Sequence, residues 1–181
     1  MDDSARPATQ LNAFLEGQKF GCVLADPFRD RPAESLGGGA FEELCALPVA
    51  EHMDDRAHCY LWVPNTLLPE GMSLLRSWGF KYTSNIVWQK SSDIQGEEGP
   101  EIFTDATALL LFGIRGKNVR TLAPARSTVN FLQPDAGGDP VLAQKPDAQY
   151  GLIERCSWGP FLELFGRGTR EGWTVWSADA A

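Results

Sequence analysis

A chain of 181 residues that is 43% hydrophobic can close one domain around a full core, but it is too short for a catalytic domain plus a separate recognition domain. The formal net charge of −8 works against a broad basic surface for nucleic acid, and no apolar run approaches the roughly 18 residues of a membrane span, so a membrane partner is not expected. Cys22, Cys45, Cys59 and Cys156 form no CxxC pair, so no metal site is expected; the acidic start "MDDSARPATQLNAF" lacks an export signal's basic-then-apolar order, which places the chain in the cytoplasm.

In chain order, residues 1–18 read as peripheral. "GCVLA" at 21–25 is a short apolar run stopped by Asp26-Pro27, the pattern of a buried strand. "GGGAFEELCAL" gives a glycine hinge and a short helix through Phe41, Leu44 and Leu47, ended by Pro48. "HCYLWV" at 58–63 is a second strand closed by Pro64-Asn65. The stretch "LLPEGMSLLRSWGF" puts Leu68, Met72, Leu75 and Trp78 on one helical face and stops at Gly79. "YTSNIVWQ" at 82–89 and "ALLLFGI" at 108–114 are strands separated by a polar loop over 91–105 that carries Glu97, Glu98, Glu101 and Asp105.

Beyond them "RGKNVRTLAPAR" at 115–126 holds basic residues and no acid, within a long proline-containing excursion over 118–141 that suits a lid or binding loop. "KPDAQYGLIERC" opens a helix with Asp147 near its start, and "FLELFGR" at 161–167 and "GWTVWS" at 172–177 are closing strands. Alternating strands and helices define one α/β domain over 1–181, a mostly parallel sheet with helices on both faces. Ligands of such sheets sit beyond the strands' carboxyl ends, where Asp26, Asn65, Lys90 and Arg167 fall.

The ordered segments "ADP", "YLWVPN", "LLPEGMSLLRSWGFKY", "NIVWQK", "LLLFGIRGK", "KPDAQYGLIE" and "LELFGRGTREGW" resemble the MT-A70 family of adenine-N6 methyltransferases over most of the chain. The resemblance implies a seven-stranded Rossmann-like methyltransferase fold, S-adenosylmethionine as cofactor, and adenine in DNA or RNA as substrate. An exocyclic adenine amine is a poor nucleophile, so the base must be held out of its stack and its amine given a hydrogen-bond acceptor. The family's DPPW motif does this; Asp26 and Pro27 match its first two positions. Phe28 stands where the second proline belongs and Arg29 where the aromatic belongs; with one residue deleted, Phe28 takes the stacking place instead.

The resemblance carries Lys145 to the cofactor's methionine carboxylate and Glu163 and Arg167 to its ribose, with Asp179 a further ribose acceptor. Leu142-Ala143, Ala178 and Ala108 replace polar residues of the family pattern. Read without the resemblance, Asp26 is an Asx turn or helix cap, Lys145 an exposed helix-start lysine and the tryptophans core; His52 and His58 carry no assigned role. Glu163, between Leu162 and Leu164, needs a partner or a pocket, and Arg167 is the candidate partner. Two functions stay open, an active methyltransferase and a catalytically inactive subunit, with a small-molecule methyltransferase as a weaker third. The partner is a second methyltransferase-like chain or another copy, and Arg29, Arg31, Arg115, Lys117 and Arg120 are the candidate phosphate or partner contacts.

Overall fold

Phe20–Ala25 (β1) is apolar at every position, and a strand without a polar face has to be covered on both sides. A computed structural model, which describes residues 6–29, 36–37, 39–90, 105–117, 119–122, 128–133 and 145–177, buries all six of its residues. Its companions are Met53–Pro64 (β2), Lys81–Gln89 (β3), Thr107–Arg115 (β4), Phe131–Leu132 (β5), Phe161–Leu164 (β6) and Trp173–Trp176 (β7). They form one sheet in the order β5-β3-β4-β2-β1-β6-β7. β4 runs antiparallel to both β2 and β3, and the other pairings are parallel, so six strands end on one edge and only β4 begins there.

Alternation along the strands sorts side chains onto two apolar faces. Val23 and Ala25 of β1 and Cys59, Leu61 and Val63 of β2 face a cluster that includes residues from the helices Pro7–Phe14 (α1), Ala40–Cys45 (α2) and Leu68–Ser77 (α3). Cys22, Leu24, Tyr60 and Trp62 face the other cluster, closed by Leu152 and Ile153 of the helix Ala148–Cys156 (α4). Helices therefore cover both faces, as the pattern of elements requires.

Four details depart from the sequence reading. The N-terminal segment is not peripheral in its packing: Leu11 and Leu15, one helical turn apart, are fully buried. The buried face of α3 runs through Gly71, Leu74 and Leu75 to Trp78, while Leu68, at the first helical position, is 37% exposed. Within the 118–141 excursion Phe131–Leu132 adds a short edge strand beside β3. The strand read as 161–167 stops at Leu164, because Phe165 takes a left-handed conformation with φ of 63° and turns the chain.

At the foot of β4, Gly116 has φ of 95°, and a Cβ there would lie 2.2 Å from the Asp55 carbonyl oxygen. Gly116→Ala is expected to cost more than about 2 kcal/mol, through backbone strain and displacement of the β2 entry. Urea unfolding followed by circular dichroism measures it, and an unchanged midpoint would contradict the close approach.

His58 is wholly buried in β2; its Nδ1 lies 2.8 Å from Ser157 Oγ, which the Tyr60 hydroxyl also meets at 3.0 Å. Burial first, and the Arg56 charge second, push its pKa down to about 4. The folded ring thus stays neutral where an unfolded histidine, with a pKa near 6.5, takes up a proton. His58 consequently supports stability fully above the unfolded value, and that contribution drains away as pH falls from about 6.5 to about 4, by an amount on the order of 3 kcal/mol. Denaturation midpoints should fall across this window and fall less steeply in His58→Gln.

Candidate functional site

Asp26 leaves β1 with its backbone N–H bonded to Leu164 O at 3.3 Å, and its own carbonyl receives the Arg29 N–H at 3.3 Å, closing a turn. This turn holds the Asp26 carboxylate, 5% exposed, at the carboxyl edge of the sheet. Arg29 donates from Nε to Oδ2 at 2.8 Å, and Lys145 Nζ approaches the same oxygen at 3.9 Å. Two cations on a buried carboxylate offset the cost of removing it from water.

Glu163 stands on the adjacent strand, since Leu24 pairs with Glu163 and Ala25 with Leu164. Its donor is the Tyr150 hydroxyl of α4, at 3.0 and 3.1 Å from the two carboxylate oxygens. Burial raises the Glu163 pKa above the ordinary carboxylate range; the Tyr150 hydroxyl, Arg29 and Arg170 pull it back, and Asp26 adds to the rise. Tyr150 is itself pushed up to about 12, by burial and then by Glu163, so it stays a donor across physiological pH. The Arg170 guanidinium lies 3.4 Å from the Tyr150 ring centroid and bonds Asp147 at 2.7 Å, clamping the start of α4 onto the sheet edge.

Lys145 is seated over tryptophans, 4.9 Å from the Trp62 ring and 5.5 Å from the Trp88 ring. Those rings meet edge to face at 5.7 Å, and Trp62 Nε1 donates to Gln149 Oε1 at 2.7 Å, so the platform is fixed. The Trp88 indole N–H is buried and has no hydrogen-bond partner among the described residues. Further along the edge, Asn65 and Lys90 both donate to Asp105, at 2.7 and 2.6 Å.

The structure therefore gathers Asp26, Arg29, Glu163 and Lys145 at one part of the carboxyl edge, where sheets of this kind form their ligand crevice, with Arg167 three residues beyond the end of β6. The turn that carries Arg167 is tight: a Cβ on Gly166 would sit 2.5 Å from Val175 Cγ1 and 2.9 Å from Glu163 Cδ. Pro27 is buried in the turn. Phe28 is 4% exposed and packed into the apolar cluster with α2 and α3, so stacking on a base would require it to leave the core. Arg31 and Asp179 lie outside the described residues.

The basic candidates separate into two groups. Arg29 is at the crevice, whereas Arg115 pairs in register with Ala57 at the far end of β2, and Lys117 follows it. Ala57 is four residues below Leu61, the partner of Ala25, a distance of roughly 13 Å at the rise of a strand. The reversal of β4 carries Arg115 and Lys117 to the edge opposite Asp26.

Sequence reasoning missed Tyr150 as the donor to Glu163, for which it named Arg167, and missed the tryptophan seat of Lys145. The Asp-Pro-Phe-Arg spacing of a turn was the available signal for the Asp26–Arg29 pair.

This arrangement, with an acid ending the first strand, a second acid on its neighbour and a lysine entering the following helix, can be compared with known proteins. The MT-A70 family profile matches residues 20–179. The chain belongs to the MT-A70 family. It is 30% identical over 156 residues to "N(6)-adenosine-methyltransferase MT-A70-like protein" of Drosophila melanogaster, covering 82% of this chain and 24% of that protein. It is 31% identical over 157 residues to the human "N(6)-adenosine-methyltransferase catalytic subunit METTL3", covering 82% and 26%. It is also 25% identical over 151 residues to the "N6-adenosine-methyltransferase non-catalytic subunit MTB" of Arabidopsis thaliana, covering 76% and 19%. The matched region thus spans about a quarter or less of these relatives' length. Among the described residues of this MT-A70 chain, no helix is long and apolar enough to cross a membrane.

Proposed function

We propose that this MT-A70 chain is an S-adenosylmethionine-dependent methyltransferase domain acting on the N6 amine of adenine in DNA or RNA. What supports the reading is the convergence of Asp26, Glu163 and Lys145 on one crevice, from two neighbouring strands and a helix entry. The residues fit the donor: Lys145 supplies a cation for its carboxylate and Glu163 a buried acceptor for its ribose hydroxyls. When bound, that group supplies an electrophilic methyl. Asp26 accepts a hydrogen bond from the adenine amine and fixes its direction, while the Trp62–Trp88 platform and the closed sheet edge exclude water.

Calorimetric titration of S-adenosylmethionine tests the donor site. Lys145→Met and Glu163→Ala are each expected to weaken binding about tenfold or more. No heat from the unsubstituted chain at ~1 mM donor would refute the reading.

The Arg29–Asp26 ion pair favours a second reading, a non-catalytic member of a methyltransferase pair. In it Arg29 keeps the acceptor occupied and the chain serves as a scaffold for a second methyltransferase-like subunit or another copy. Donor binding without methyl transfer, together with a stable complex with an active chain, would decide for this reading.

A further inference from the structure

The sheet face that carries α4 is tightly closed near the crevice and open further down. Beneath Lys145 it is filled by Trp62, Trp88, Leu110 and Leu132, each at most 6% exposed. Toward the opposite edge Phe112 and Ile114 remain only half-buried, although β4 is flanked by strands on both sides. The cause is a cavity of about 350 Å3 above them, bounded by Tyr60, Ile86 and the α4 residues Leu152 and Cys156. Its exposed lining residues, which form the mouth, are mostly polar: Thr83, Ser84, Thr128 and Asn130, with Arg120 and the apolar Val129. This volume falls at the lower end of the roughly 300–1,000 Å3 of small-ligand sites, and an aromatic floor with a few convergent polar groups is their usual lining.

We propose that this cavity binds a small amphipathic monoanion, with an aromatic or branched apolar body over Phe112 and Ile114 and a single oxyanion at Arg120. Charge selects the class. Arg120 is the one charged side chain among the described lining residues, and no carboxylate is among them, so a cation has no counter-ion there and a polyphosphate has one cation where it needs several. The floor selects the body, because covering half-exposed Phe112 and Ile114 stabilises the complex in proportion to the apolar area removed from water. The site is separate from the crevice, since Trp62 and Trp88, which seat Lys145, follow the lining residues Tyr60 and Ile86 by two positions on the same buried face, toward the carboxyl edge.

The test titrates 8-anilinonaphthalene-1-sulfonate, and its uncharged parent N-phenyl-1-naphthylamine, into the full chain and follows probe fluorescence. Each should saturate at one probe per chain. Arg120→Gln should weaken the sulfonate about tenfold and leave the neutral probe unchanged. Ser84→Trp, a bulky β-former placed at the exposed mouth, should abolish both with an unchanged melting temperature. Absence of saturable binding, indifference to Ser84→Trp, or an equal response of both probes to Arg120→Gln would overturn the proposal. So would loss of binding only in Phe131→Ser, which would assign the probe to an exposed apolar side chain outside the cavity lining, a protein-docking surface.

Discussion

Asp26→Ala is expected to lower methyl transfer to adenine by about two to three orders of magnitude while S-adenosylmethionine affinity changes by less than about threefold. The carboxylate's close partner is Arg29 at 2.8 Å, with Lys145 only at 3.9 Å, and it stands at the end of β1, where the proposed reaction needs the amine fixed before attack. Removing the acceptor leaves the amine undirected, and the loss appears in turnover rather than in donor binding. Methyl incorporation into adenine-containing DNA and RNA oligonucleotides, paired with calorimetry, separates the two effects. An unchanged rate would remove Asp26 from the chemistry. A rate of zero in the unsubstituted chain with normal donor binding would favour the scaffold reading, in which Arg29 never releases the carboxylate.

The second large effect concerns the frame. Trp78 is fully buried where α3 meets α2, and its indole N–H donates to Leu44 O at 2.9 Å. Trp78→Ala opens a large cavity and strands that carbonyl, for a loss of about 3–5 kcal/mol. Native domains hold only about 5–15 kcal/mol, so much of the fold's stability depends on this one ring. Urea unfolding followed by circular dichroism measures it, with Leu68→Ala as a control expected to change stability by less than about 1 kcal/mol, because that side chain is 37% exposed.

The strands were legible because burial writes itself as composition. Gly21–Ala25, the aromatic run of β2 and Leu109–Leu111 have no polar side to offer water, and runs of that length fit a covered sheet. Helix α1 was not legible: only Leu11 and Leu15 commit to the core, and two leucines a turn apart among polar neighbours carry little periodic signal. Strand β5 is two residues long and owes its state to β3, which no local pattern reports. In the site, the acids and the lysine could be read from motif position. The inward rotation of Phe28 and the Tyr150–Glu163 bond could not, because they depend on how a helix settles against a strand thirteen residues later in the chain.

The reversed strand β4 also sets the electrical surroundings of the crevice. Its first residues meet the last residues of β3, where Lys90 N–H bonds Ala106 O at 2.9 Å and the Lys90 ammonium bonds Asp105. Between Lys90 and Asp105 the sequence carries Asp93, Glu97, Glu98 and Glu101 and no basic residue, part of a formal net charge of −8. If the substrate is the proposed phosphodiester strand, it approaches a chain of net negative charge, so moderate salt should speed its arrival, the reverse of the usual behaviour of proteins that capture polyanions.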